Sequence, residues 1–161
     1  MAWLHTSDLQ EVANAVQIWL FDGLTLREMK EKFPKFDFTE AALEIEGGNG
    51  VTVQWNYLLS DKTGFHPEFF DLIDAASKRP LLRQLFPVVS IGQFLSFSGT
   101  TGYPFSKAGG YIVWGGKARY RAVESDHNVI GEGSIEEVLD MLERTIPPNT
   151  GPAIFGTAED L

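Results

Sequence analysis

The chain changes character at Pro87. Before it, apolar residues recur at helical spacing between N-cap and proline signals; after it, short alternating runs are separated by glycines. That order predicts an α+β fold: N-terminal helices, then a small antiparallel sheet of about four strands, and a C-terminal helix. At 161 residues the sequence is the size of one domain. It reads as a single domain over 1–161, helical over about 1–87, with the sheet and last helix over about 88–161.

Capping signals set the helix boundaries. Ser7 with Gln10 opens a first helix, whose stripe is Leu9, Val12, Ala13, Val16, Trp19 and Leu20, and Gly23 stops it. Thr25 with Glu28 opens a second, carrying Leu26, Met29 and Phe33, ended by Pro34. "FTEAALEIEGGNG" predicts a short helix stopped at Gly47 and Gly48. Pro67 starts a helix to Ser77 with Phe70, Ile73, Ala76 and Ser77 inward, and Pro80 a shorter one through "LLRQLF". Ser134 with Glu137 caps the last helix, striped by Ile135, Val138, Leu139 and Leu142 and ended by Pro147 and Pro148. "VTVQWNYLL" fits both periods: Val51, Val53, Trp55 and Tyr57 alternate, Val51, Trp55, Leu58 and Leu59 share a helical face, and propensity favours the strand.

Beyond Pro87, "VSIGQFLSFS" reads as one strand with Leu95 and Phe97 on one face. "YIVWGG" and "ARYRAVES" form a hairpin around Gly115–Gly116, "NVIGEG" adds a strand, and "NTGPAIFGTAEDL" is a loop-like tail. Trp19, Phe33, Phe70, Leu95, Phe97, Leu139 and Leu142 are expected in one shared core.

Charge narrows the partners. A net charge of −9 and a pI near 4.7 repel phosphate backbones and anionic membranes. The helical pair around Gly23 has the outline of a helix-turn-helix, but Arg27, Lys30, Lys32 and Lys35 alternate with Glu28 and Glu31, as on a solvated face. No nucleic acid and no membrane partner is expected. No run of apolar residues is long enough to span a bilayer, "MAWLHTSDLQ" does not read as a secretory signal, and cysteine is absent; a cytoplasmic setting is expected.

Catalytic motifs are missing. His5, His66 and His127 have no metal-ligand spacing, and Glu124, Asp126 and His127 read as a polar turn, so no metal or cofactor is expected. "GxSxG" is absent, and neither "GGNG" nor the glycines near Lys107 match a nucleotide loop. The candidate site is "SFSGTTGYPFSKAGGYIVWGG", Ser96 to Gly116. Ser96, Ser98, Thr100, Thr101, Tyr103, Ser106 and Lys107 would supply polar groups, with Trp114 and Phe105 as walls. The competing reading makes the same stretch a glycine-permitted turn at the end of a strand.

"DGLTLREMKEKFPKF", "RPLLRQLFPVVS", "LSFSGTTGYPFS" and "TGPAIFGTAED" together resemble a bacterial family of unknown function, DUF6193-like, catalogued under natural product biosynthesis. The resemblance runs from about Asp8 to Leu161, matches the C-terminal portion of longer members, and implies a helix at Val51–Leu59. Relatives carry Arg-Cys before Thr-Gly, where this chain has Gly99 and Thr100, so no thiol stands there. The resemblance implies no defined reaction. The expected function is a non-catalytic interaction or accessory module with a protein or small-molecule partner; the alternative is a small-ligand site or enzyme around Ser96–Lys107.

Overall fold

The computed structural model describes residues 2–60 and 64–161. The chain forms two compact units, Met1–Asn49 and Gly50–Leu161. In the first, β1 (Ala2–Leu4) pairs antiparallel with β2 (Phe36–Phe38), two strands the sequence pattern did not indicate. Helix α1 (Leu9–Gln17) continues into a wider π turn, Ile18–Asp22, that ends at Gly23 in the left-handed region (φ 65°). Its cap is Asp8 rather than Ser7: the Asp8 carboxylate accepts the N–H groups of Gln10 and Glu11. α2 (Leu26–Lys32) has the expected Thr25–Glu28 capping box, and α3 (Glu40–Glu44) is capped by Thr39. Gly48, at φ 89°, breaks the helical path after α3, as the glycine pair predicts.

The core of this unit is Ala15, Leu26, Met29, Phe33 and Phe36. Only Ala15 of α1 is buried, so the stripe read as the inner face of this helix points outward. Leu9 is 83 % exposed, and Val12, Val16, Trp19 and Leu20 are exposed too. Ala15 clusters instead with Leu26 and Met29 of α2, with Phe33 and with Phe36 of β2, and the stripe is left over.

The second unit carries α4 (Gly50–Ser60), α5 (Pro67–Ser77), α6 (Pro80–Arg83) and α7 (Ile135–Glu143). Among the described residues its sheet is a five-stranded antiparallel meander in the order β3 (Phe86–Ser90), β4 (Phe94–Ser98), β5 (Lys107–Trp114), β6 (Tyr120–Val123) and β7 (Val129–Gly133). Val51–Leu59 is therefore helical, against its propensity. Trp55 and Leu58 are buried while Tyr57 is 59 % exposed, a split that strand alternation would forbid for Trp55 and Tyr57. One sheet face, with Leu95, Phe97, Ile112, Tyr120 and Ala122, packs on Trp55, Phe69, Leu72, Ile73, Val138, Leu139 and Leu142 from the helices.

Three expectations are corrected here. The sheet has more strands than expected, because "VSIGQFLSFS" is a hairpin rather than one strand. Ile91 (φ 53°) and Gly92 (φ 64°) are both left-handed, and Gln93 N–H donates to the Ser90 carbonyl at 3.2 Å. That is the two-residue turn usually made by Asn-Gly, and the isoleucine hid it. The expected shared core is divided: Leu95, Phe97, Leu139 and Leu142 lie together, Phe33 belongs to the first unit, Trp19 is 46 % exposed, and Phe69 replaces Phe70 as the buried aromatic of α5.

Arg79, the residue before α6, ties this helical layer together. Its guanidinium meets Asp140 at 2.7 Å, Glu136 at 2.5 Å and Glu143 at 3.5 Å, three carboxylates along one face of α7. The Asp140 hydrogen bond, then that to Glu136 and the charges of Glu136 and Glu143, push the Arg79 pKa up.

A β-branched residue at positive φ is strained. Replacing Ile91 with Asn, which tolerates that conformation, is expected to stabilise the protein by about 1 kcal/mol. The denaturant midpoint should rise with an unchanged slope; a fall would show that Ile91 makes compensating contacts.

Candidate functional site

β4 delivers Ser98 to the start of the candidate stretch, and the chain there folds onto itself. Ser98 Oγ donates to the Thr100 carbonyl at 2.7 Å and accepts the Thr100 N–H at 3.0 Å. Thr100 Oγ1 accepts the Ser106 N–H at 3.1 Å, and Gly99 N–H donates to the Ser106 carbonyl at 3.0 Å. Ser98 and Thr100 are buried, so these hydroxyls close a loop from inside. Thr101 is half-buried, and a Cβ on Gly50 would lie 3.1 Å from its methyl group. Tyr103 is 83 % exposed, precedes a cis Tyr103–Pro104 bond, and sets its ring edge-on to Phe105.

The C-terminal tail seals the loop from the other side. Ile154 N–H donates to the Gly99 carbonyl, Thr101 N–H to the Ile154 carbonyl, Gly102 N–H to the Gly156 carbonyl and Ala158 N–H to the Pro104 carbonyl. A Cβ on Gly102 would stand 2.8 Å from the Gly156 oxygen, which is why glycine is needed at that crossing. The tail is thus more than a loop: it bridges at Ile154 and ends in a 3₁₀ turn, Ala158–Asp160, capped by Thr157. Ser98, Thr100, Thr101 and Ser106 come together in this knot, with Lys107 beside it at the start of β5. Trp114 does not join them. It sits at the other end of β5, about 23 Å along an extended strand.

A concave groove opens on the sheet face turned away from the core. It has a volume of about 520 Å³ and is lined by Ser90, Phe94, Ser96, Lys107, Tyr111 and His127 among others. Of the sequence candidates it contains Ser96 and Lys107. Phe94 and Tyr111 alternate with the core residues Leu95 and Ile112, so their outward aromatic position was legible in the strand period. His127 was read only as part of a turn. The turn is there, with Glu124 N–H donating to the Asn128 carbonyl at 2.9 Å. It also brings His127 Nδ1 within 2.9 Å of the Tyr111 hydroxyl. Among the described residues no group of His, Cys, Asp and Glu is placed to hold a metal ion.

The groove owes its shape to a bulge. β4 advances two residues from Ser96 to Ser98 while β5 advances four from Tyr111 to Lys107. Gly109 and Gly110 take up the excess; a Cβ on Gly110 would fall 2.1 Å from the Val123 oxygen. Thr145, just past α7, accepts the Gly110 N–H at 2.9 Å and pins the bulge.

A second polar cluster surrounds Trp114. Glu68, in the first turn of α5, accepts the Ala118 N–H at 2.9 Å and the Trp114 indole N–H at 3.1 Å. His66 stacks on Trp114 with ring centroids 4.5 Å apart. The loop held there is strained, with Gly116, Lys117 and Ala118 all left-handed. The Ala118 N–H, then the indole, holds the Glu68 carboxyl below its ordinary value. This cluster clamps the β5–β6 turn to α5, and Trp114 belongs to it rather than to the groove.

The chain belongs to a family of unknown function, DUF6193, whose profile matches residues 49–157. The match covers the second unit almost entirely and includes both the hydroxyl knot and most of the tail. No curated protein and no solved structure matches the chain.

Two outcomes follow from this geometry. Gly102→Ala is expected to loosen the tail, seen as faster amide hydrogen exchange at Thr101, Gly102 and Ile154; unchanged protection would show that the crossing tolerates a methyl group. For Glu68, a lowered folded-state pKa adds stability that is complete above the unfolded value near 4.5 and is lost as pH falls through the folded value. Glu68→Gln should therefore flatten the acid side of a melting-temperature profile below about pH 5, and an identical profile would refute the clamp.

Proposed function

We propose that this DUF6193 protein is a non-catalytic interaction module that works with a protein partner in the bacterial cytoplasm, as an accessory to secondary metabolism. The outward stripe of α1 carries this reading. Leu9 and Val16, with Trp19, Leu20 and Phe21 of the following π turn, present a run of exposed apolar side chains that a solitary soluble surface does not need. The bacterial and metabolic setting follows from the family resemblance alone. The hydroxyls of Ser98 and Thr100 support the non-catalytic part: they are engaged with backbone groups and with each other, and among the described residues no base is hydrogen-bonded to either.

The partner's chemistry follows from charge. The first unit has nine acidic against four basic residues around its apolar stripe. A partner that matches it has an apolar groove with a basic rim, and a second copy of this chain is disfavoured by like charge. No helix among the described residues is long and apolar enough to cross a membrane, so membrane anchoring through such a helix is not part of this reading.

The test is affinity capture from the source cell, with the parent chain and a Val16→Ser/Leu20→Ser variant, followed by titration of the purified partner. Both positions are exposed, so folding stability should change by no more than about 0.5 kcal/mol. Binding should weaken at least tenfold in the variant, and further as salt rises. Equal affinity of parent and variant, or self-association in place of a partner, overturns the reading.

A further inference from the structure

We propose that the groove on the outer face of the β4–β5 sheet is a binding site for a small planar aromatic compound bearing a carboxylate. This is independent of the α1 surface, which lies in the other unit.

The floor of the groove is aromatic. Phe94 and Tyr111 lie side by side across β4 and β5, with ring centroids 6.1 Å apart. Tyr111 in turn meets His127 edge-on at 5.9 Å. Three rings therefore form one row on the sheet face turned away from the core, where Phe94 and Tyr111 are half-buried. Such a row offers a flat π surface, and a planar aryl ligand covers it with offset or edge contacts. The cavity volume of about 520 Å³ is within the range of small-ligand sites.

The polar end is cationic. Lys107 lines the groove, is exposed, and forms no ion pair among the described residues, although the protein carries a net charge of −9. An unpaired ammonium beside an apolar concavity in an acidic protein selects an anion of low charge, since the surrounding acids repel a multiply charged one. Ser96 lies on the strand between Phe94 and Ser98, the partner of Lys107, and its hydroxyl is held only by a long 3.4 Å contact to the Val88 carbonyl. Turned away from that long contact, the same O–H would donate to a carboxylate in the groove.

His127 supplies a third observation. It sits at φ 73°, in the left-handed region that side-chain-bearing residues uncommonly adopt, in a turn where glycine would be at ease. Its ring is nonetheless oriented by the Tyr111 hydroxyl at 2.9 Å and closes the end of the row. Strain retained at a groove wall is the arrangement of a side chain kept for what it contacts. Glu124 and Asp126 flank this turn and line a smaller neighbouring cavity that shares Gly109, Gly110 and Ser125 with the groove. They would favour an aryl ammonium instead, so the sign of the ligand charge is the decisive point.

The test uses three isosteric probes on the full chain: naphthalene-2-carboxylate, its carboxamide and 2-naphthylmethylamine, titrated by two-dimensional amide NMR. The carboxylate is expected to bind and to shift resonances of Phe94, Ser96, Tyr111 and His127. The carboxamide should bind at least tenfold more weakly. Lys107→Ala should reduce carboxylate affinity at least tenfold while leaving the melting temperature and carboxamide binding unchanged. His127→Gly should raise the melting temperature and weaken the carboxylate several-fold. The proposal is overturned if no probe binds at millimolar concentration, if the amine or amide binds as well as the acid, if the shifts map elsewhere, or if Lys107→Ala binds as the parent does.

Discussion

The second unit depends on the burial of Trp55. Its side chain is fully enclosed, its ring lies 6.1 Å from Phe97 of β4, and its indole N–H donates to the Leu85 carbonyl at 3.2 Å. Arg83 covers the ring from α6 at 5.3 Å. One residue therefore fixes α4 against the sheet and sets where α6 gives way to β3. A buried indole must find an acceptor, and Leu85 is free to provide one because the chain leaves α6 there. The sheet layer and the helical layer share this contact, and α5 and α7 complete the cover over Ile112, Tyr120 and Ala122.

Local signals in the sequence were largely legible. The Thr25–Glu28 and Ser134–Glu137 boxes, Pro67 in the first turn of α5 and the Gly115–Gly116 hairpin each depend on residues within one turn of chain, and each formed as read. Where long-range packing decides, the reading failed or stayed open. Val51–Leu59 has strand propensity and fits both periods; it is the helix that the family resemblance implies, because that puts Trp55 and Leu58 on the same side against the sheet. The α1 stripe has the right period and the wrong neighbours. Ile91 occupies a turn position that its side chain disfavours, so no residue-type rule marks the β3–β4 hairpin.

The candidate site shows the same division. Hydroxyl-rich, glycine-rich sequence marks a place where the backbone needs unusual partners, but residue types do not say whether those partners are a ligand or the chain itself. Here Ser98 and Thr100 satisfy backbone groups of the loop between β4 and β5, at Thr100 and Ser106. Lys107 is the exception, having no partner in the knot and facing the groove. Tyr111 and His127 are sixteen residues apart and meet only because the β6–β7 turn folds back over β5, which no local pattern announces.

The two stretches that most mark the family resemblance, "TGYP" and "GPAIFGTAED", are distant in sequence and joined in space. Gly102 and Gly156 cross closely enough that the Gly102 N–H reaches the Gly156 oxygen at 2.6 Å, and Thr100 bridges Ile154. A motif pair of this kind is explained by steric need on both sides: Gly102 makes room for the Gly156 backbone, Gly156 holds a positive φ against the Asp160 carboxylate, and each segment closes hydrogen bonds of the other. The family profile, ending at residue 157, follows this structural seam. The seam needs no ligand to account for it. The groove is different, because its unpaired lysine, outward rings and strained histidine have no such internal account, and that contrast places the search for a bound molecule on the sheet face rather than in the loop.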